Sequence, residues 1–323
     1  MTAGFSGFEN DWQALAERSR NVFGTREWAE TWWRHFGNDG ELRTTLVPAV
    51  AVLPLYVEGV GPFRLLRFLG QGHADEVGPV CAPEDRDEAA SAMRDVFAEG
   101  GYHLFLGDNL PPGWAEPLGA RIVERTSSPV VSLTEPTWDD FLAKRSSNFR
   151  QQLRTSERRL ARDRGLTFRL ADGSTLTQDL DVLFALHKAR WPGSPWFASA
   201  EPFHRDFAAL ALERGWLRLW ILELDGRPAA AWLGYRFAGV ESYYQAGRDP
   251  ALQRERVGLV VLAHSIREAL ADGIDEYRLL RGDESFKYRF ATSDPGLETL
   301  ARPTGALGRA ALALRMLRRR RSS

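Results

Sequence analysis

Residues 216–271 read WLRLWILELDGRPAAAWLGYRFAGVESYYQAGRDPALQRERVGLVVLAHSIREALA, and the fold is decided here. Trp216–Leu224 and Pro228–Phe237 are strand-like, and Asp225-Gly226 between them is the strongest hairpin signal in the chain. Ala238-Gly239 separates the second run from a third, Val240–Ala246. The loop Gly247–Arg256 leads into a helix, Val257–Ala271, closed by Asp272-Gly273, and Ile274–Leu280 is a further strand. Successive antiparallel strands followed by a β–α–β crossover predict a mixed sheet, so the expected class is α/β (α+β).

Working back from this stretch, Glu201–Arg214 and Asp179–Arg190 are helical, Trp191–Trp196 is a rigid aromatic loop, and Leu166–Leu170 is a short strand. Thr137-Trp138-Asp139-Asp140 has capping-box spacing; it opens a helix that runs, with a break near Ser146-Ser147, to the stop at Gly165. The break Glu135-Pro136 sets the expected domain division at 1–136 and 137–323. The first part reads as mixed α and β. Arg26–Phe36 buries Trp28, Trp32, Trp33 and Phe36 on one helix face; Leu42–Val57, Phe63–Leu69 and Tyr102–Leu106 are strand-like; Asp85–Ala98 is an amphipathic helix; Arg121–Leu133 reads as a strand pair.

Composition excludes several classes. With 323 residues, 44% hydrophobic and 26% charged, the chain is long enough for a buried core, and disorder, collagen and coiled coil drop out. A single cysteine, Cys81, excludes a disulfide framework and a thiolate metal site and fits a reducing, cytoplasmic setting. The opening MTAGFSGFENDWQ has no signal-peptide pattern, and no run approaches the 18 apolar residues of a membrane span. Net charge is −1, from 42 basic and 43 acidic residues, which argues against a generic polyanion binder. His35, His73, His103, His187, His204 and His264 show no paired ligand spacing, so no metal is expected. GxSxG and P-loop motifs are absent.

Three constellations can carry chemistry. Gln253-Arg254-Glu255-Arg256-Val257-Gly258 stands at a helix start, where free amides and the dipole favour phosphate; taken alone the pattern is a weak signal, since a basic loop before a helix is more often a solvated surface. Leu279–Phe290 follows a buried strand with seven polar or charged residues in the ten from Arg281 to Phe290. Asp283 or Glu284 there can accept a proton from a nucleophile, or the group is a surface ion-pair cluster with Arg281, Lys287 and Arg289. Lys144–Arg164 carries eight basic residues against Glu157 and Asp163. Arg150, Arg154, Arg158 and Arg162 form one stripe along the helix, anchored by Phe149, Leu153 and Leu160 on the opposite side. The stripe suits phosphate or an anionic glycan, or is simply an exposed helix face. The arginine-rich run Arg315–Arg321 can touch an acidic surface, but reads first as a solubilising terminus.

These segments resemble the GNAT acyltransferases, and more narrowly the GNAT-type acetyltransferases named for a part in cellulose biosynthesis. The likeness is carried by Leu69-Gly70 through Asp75, Ser147-Asn148-Phe149-Arg150 with Leu153-Arg154, Tyr243-Tyr244, Val257–Leu262, and Leu280-Arg281-Gly282-Asp283-Glu284 with Lys287 and Arg289. That family is similar to the Fem-type peptidyltransferases, and the resemblance implies two GNAT-like halves, an acyl-CoA (acetyl-CoA) co-substrate in the C-terminal half, and a small-molecule or glycan acceptor. It implies a cofactor-binding set of Gln245, Ala246, Gln253, Arg256, Val257 and Gly258. The GNAT pyrophosphate loop is Q/R-x-x-G-x-G/A; Gln253 and Gly258 match its ends, while Arg256 stands where the middle glycine belongs. Glu284 or Asp283 is the implied base, Tyr244 the donor to the leaving thiolate, and Lys287 a further catalytic residue. Arg150, Arg154, Arg281 and Asp75 are implied on the substrate side. Two other readings stay open: a Fem-type transferase using aminoacyl-tRNA, and an inactive GNAT fold serving as a binding module.

Overall fold

The structure is a computed structural model that describes Phe5, Gly7 and residues 9–193 and 196–319. Two compact units divide it: residues 1–128 together with 295–323, and residues 129–294. In chain order the first unit holds α1 (Glu9–Ser19), α2 (Arg26–Phe36), β1 (Glu41–Leu42), β2 (Thr45–Val47), β3 (Ala51–Leu53), β4 (Leu55–Val60), β5 (Phe63–Phe68), β6 (Val80–Cys81), α3 (Arg86–Glu99), β7 (Leu104–Leu110) and β8 (Arg121–Thr126). The second holds β9 (Val130–Ser132), α4 (Trp138–Ala143), α5 (Ser147–Arg164), β10 (Thr167–Leu170), α6 (Leu176–Arg190), α7 (Trp196–Ser199), α8 (Glu201–Glu213), β11 (Leu217–Leu224), β12 (Arg227–Phe237), β13 (Val240–Arg248), α9 (Val257–Ala271) and β14 (Glu276–Arg278). The chain then returns to the first unit for β15 (Leu297–Pro303) and α10 (Gly305–Arg319).

Each unit is built on a six-stranded mixed sheet: β1-β4-β5-β7-β15-β8 in the first and β10-β11-β12-β13-β14-β9 in the second. The same motif recurs in both. An antiparallel hairpin (β4-β5; β12-β13) feeds a helix (α3; α9) that returns a strand (β7; β14) parallel to the second hairpin strand. The first unit adds a small sheet, β2-β3-β6.

Local chemistry accounts for the elements of the second unit. Thr137 caps α4, its hydroxyl accepting from the Asp140 amide at 3.2 Å, and Ser146 caps α5 by accepting from Phe149 N at 3.3 Å. The helix therefore restarts where two serines stand. Gly165, at φ 51°, ends α5 in the left-handed region. Phe149, Leu153 and Leu160 of α5 join Val257, Val260, Val261 and Ile266 of α9 over Leu222, Trp232 and Tyr277. On the opposite face, α6 and α8 cover β11–β13, with Phe207 packed edge-on against Tyr235 at 5.1 Å. Asp225-Gly226 forms the expected hairpin turn, both residues at positive φ.

Three expectations need correction. The boundary lies at 128/129 rather than 136/137, because β9 already pairs with β14 (Val131 opposite Tyr277). For the same reason Arg121–Leu133 is no strand pair: β8 and β9 belong to different sheets. The chain after 294 does not stay with the second unit either, since β15 inserts between β7 and β8. The aromatic loop read at Trp191–Trp196 and the arginine run at the end lie partly outside the described residues.

His264 on α9 stacks on Phe168 at 3.8 Å and meets Trp220 edge-on at 4.5 Å. Burial, reinforced by the Arg267 charge, pushes its pKa down to about 4 from an ordinary 6.5. The folded state thus binds this proton less readily than the unfolded chain, so the stability it carries is complete above pH 6.5 and is lost as pH falls toward 4. Between pH 7.5 and 5 the loss from this ring is about 2 kcal/mol, and His264→Phe removes that part of the pH dependence; urea midpoints of both proteins at the two pH values check it.

Candidate functional site

The site begins where two strands part. β13 and β14 run parallel through Val240/Glu276, Glu241/Tyr277 and Ser242/Arg278, and then β14 stops while β13 continues to Arg248. Past Ser242 that edge of β13 has no strand partner among the described residues. At the same place β13 carries a bulge: Leu233 opposes Gln245, but the next residue, Gly234, opposes Tyr243. The extra residue, Tyr244, breaks the alternation of faces. Tyr243 turns to the α9 face, stacked on Trp232 at 6.0 Å, whereas Tyr244 turns to the α6–α8 face among His204, Phe197 and Tyr235. Gln245 also points that way, sharing a hydrogen bond with His187.

A cleft of about 250 Å³ fills the parting, walled by Trp232, Tyr243, Ala246 and Gly247 of the sheet, by Gly258 and Leu259 of α9, and by Phe286. Arg190, Arg248, Arg256 and Arg289 line it, and among the described lining residues none is acidic. The arginines feel one another. Burial and the charge of Arg190 lower the pKa of Arg248, and burial and the charge of Arg256 lower that of Arg289. Arg289 also donates to Gln152 and lies over the Phe149 ring. The Trp232 indole N–H is buried in the wall with no hydrogen-bond partner among the described residues.

The start of α9 completes the cleft. No side chain caps it, which leaves its first amides for a ligand. Arg256 occupies the N-cap position at φ 59°, ψ 34°, the left-handed conformation that favours glycine. The backbone shape of the glycine loop is therefore kept with an arginine, at a cost of about 1–2 kcal/mol. Gly258 lies against the Arg248 stem: a Cβ there would come 3.2 Å from Arg248 Cδ.

The segment after β14 is pinned by one lysine. Lys287, 2% exposed, donates from Nζ to the carbonyls of Leu280 at 3.3 Å and Arg281 at 2.6 Å and pairs with Glu284 at 3.0 Å. Leu280 at φ 56° and Gly282 at φ 122° turn the chain around that ammonium. Asp283 and Glu284 are exposed as a result.

Comparison with known proteins fits this geometry. Residues 147–288 match the family described as acetyltransferase (GNAT) domain. That match makes the segment similar to GNAT domains. No curated protein matches the chain in sequence. Among solved structures, FemX superposes with a TM-score of 0.67 at 11% identity, covering 94% of this chain and 97% of FemX. The C-terminal domain of a protein named as a lysylphosphatidylglycerol synthetase from Agrobacterium fabrum gives 0.63 at 16% identity, covering 97% and 96%. L-PGS from Bacillus licheniformis gives 0.60 at 12%, covering 95% and 94%. At such identities the likeness speaks for the fold.

The second unit brings Ala246, Gln253, Arg256 and Gly258 together at the cleft. Val257 is fully buried in the α9 core, and the Tyr244 and Gln245 side chains lie on the other face of the sheet. Glu284 stands near Tyr243: burial raises the Tyr243 pKa, the Arg190 charge opposes the rise, and the Glu284 carboxylate adds to it. Arg281 is exposed beside them in sequence. Arg150 donates to the Ala143 carbonyl at 3.1 Å and Arg154 to Asp139 at 2.8 Å; with Arg158 they line an open shelf on α5. Asp75 belongs to the first unit, buried in its own loop. Sequence reading missed Tyr243, Arg190 and Arg248. The doublet Tyr243-Tyr244 held the signal, but a bulge cannot be read from alternation.

Replacing Lys287 by Met leaves the carbonyls of Leu280 and Arg281 without their charged donor. Unfolding in urea should show a loss of about 2–3 kcal/mol, and amide exchange should quicken at Gly282–Glu284; an unchanged midpoint would show that the ammonium does not hold the turn.

Proposed function

We propose that this chain is an acyl-CoA-dependent acyltransferase, moving an acetyl group to an amine or hydroxyl of a sugar, glycan precursor or related small metabolite. The observation that carries this reading is the cleft itself: four arginines, an uncapped helix start and an unpartnered strand edge meet in one place within a segment similar to GNAT domains. Arg256, with Arg248 and Arg190, supplies charge for the phosphates of CoA, and the first amides of α9 take the pyrophosphate oxygens. The free edge of β13 at Ala246 offers backbone groups to the pantetheine arm, and the unpaired Trp232 N–H offers one more donor.

In this mechanism Glu284, or its neighbour Asp283, receives the acceptor's proton while the nucleophile attacks the thioester carbonyl directly. The new C–N or C–O bond forms and the C–S bond breaks, with no acyl-enzyme. Tyr243 takes the place first given to Tyr244. Burial keeps its hydroxyl protonated, so it can donate to the departing thiolate. Lys287 holds the turn that presents Glu284.

A second reading rests on the arginine shelf of α5 and on the fold likeness to FemX. It is a Fem-type transfer of an aminoacyl group from tRNA. Strongly salt-dependent RNA binding together with no affinity for acyl-CoA would favour it.

Calorimetric titration with acetyl-CoA tests the main reading. Micromolar binding is expected, weakened about tenfold or more in both Arg256→Ala and Arg256→Gly. The glycine variant should at the same time unfold at higher urea, by about 1 kcal/mol, because it relieves the left-handed strain. With an amino sugar as acceptor and thiol release as readout, Glu284→Gln should lower turnover by about 10²-fold or more without loss of acetyl-CoA affinity. Tyr243→Phe should slow turnover where Tyr244→Phe does not. Absence of binding up to millimolar acetyl-CoA would sink the proposal.

A further inference from the structure

Helix α10 has two apolar faces, and the fold uses only one. Leu312 is buried and Ala311 and Met316 are half-buried against Leu104, Leu106 and Ala301 of the first unit's sheet. Gly308 sets how closely the helix lies: a Cβ there would fall 1.9 Å from the His103 carbonyl oxygen. On the outward side, Leu307, Leu314 and Leu317 are 54%, 53% and 56% exposed. Spacings of seven and three put them on one side of the helix, with exposed Ala306, Ala310 and Ala313 filling the strip between. They are three of the six large hydrophobic side chains exposed among the described residues.

The sequence around this strip carries one sign of charge. From Thr304 to Ser323 there are six arginines, at 309, 315 and 318–321, and neither aspartate nor glutamate. Arg315 has a distant partner, Asp108 at 3.8 Å. An apolar strip on a segment whose own sequence carries arginines and no acid is complementary to a surface that is oily inside and negatively charged at its rim. Pairing of two such helices from two copies would bring like charge against like charge, and a nucleic acid would leave the leucines without an apolar partner. Among the described residues no helix is long and apolar enough to cross a membrane. At 15 residues, α10 is about 22 Å long, a length that can lie in the plane of an interface.

We infer that α10 docks the protein onto an anionic lipid bilayer, its three outward leucines entering the acyl boundary and its arginines meeting lipid phosphates. The test is co-sedimentation of the full chain with large vesicles of phosphatidylcholine alone or containing about a third phosphatidylglycerol. Binding to the anionic vesicles is expected to exceed that to the neutral ones about tenfold or more and to fall as salt rises from about 0.1 to 0.5 M. The triple variant Leu307→Ser/Leu314→Ser/Leu317→Ser should lose about tenfold or more of that binding while its circular dichroism and thermal midpoint stay unchanged, since none of the three is in the core. Arg318→Ser through Arg321→Ser combined should lose a similar factor. Binding indifferent to phosphatidylglycerol, or unaltered by the leucine triple, would overturn the inference. So would a concentration-dependent dimer that the leucine triple dissolves, because the strip would then belong to a second copy of the chain.

Discussion

Parallel strands that share three residue pairs and then diverge are the constraint on which the second unit depends. Up to Ser242/Arg278 the sheet closes as any sheet does, with α9 laid across it. Beyond that point β13 has one neighbour, α9 begins without a side-chain cap, and the chain after β14 turns away around a buried lysine. A longer ladder between the two strands would seal the cleft, and a shorter one would leave α9 without a platform. The bulge at Tyr244 adjusts the same strand more finely, since it decides which tyrosine faces the cleft.

The charge in the cleft is concentrated beyond what the fold by itself favours. Arg190, Arg248, Arg256 and Arg289 share a small space lined by no described acid; the charge of Arg190 bears on Arg248, and that of Arg256 on Arg289. Arg256 adds backbone strain to that repulsion. Local rules are broken together at one place, which is the pattern expected where stability is given up for binding. An anion held between the guanidiniums would offset the repulsion, as any ligand of the native state stabilises it.

Much of this was legible in the sequence wherever a short-range rule governs. Thr137 and Ser146 announce helix starts by their hydroxyls, Gly165 a helix stop, and Asp225-Gly226 a hairpin; each acts over three or four residues. The cleft's position at the start of α9 followed from the same logic. What escaped depends on distant partners. Lys287 reads as a surface cation beside two acids, and only the fold shows that its ammonium serves the carbonyls of Leu280 and Arg281. Tyr243 and Tyr244 exchange faces through one extra residue in one strand. Arg190 arrives from the end of α6, more than fifty residues before Arg248, so no motif joins them. The domain boundary at Pro136 failed because a proline marks a local break, while β9 is claimed earlier by a strand some 145 residues further on.

Strand β15 lies in the interior of the first unit's sheet, between β7 and β8, yet 170 residues separate Thr126 from its partner Leu297. The entire second unit is thus spliced into a hairpin-like connection of the first. During vectorial synthesis on a ribosome, α1 through β8 emerge with a gap where β15 belongs and must wait, with two strand edges bare, while the inserted unit is made. The second unit, contiguous from 129 to 294, has all its own strands before that gap is filled. The N-terminal unit is consequently the last to finish folding, in reverse of the usual order along a nascent chain, and its exposed strand edges are the point at which a slow or stalled synthesis does the most harm.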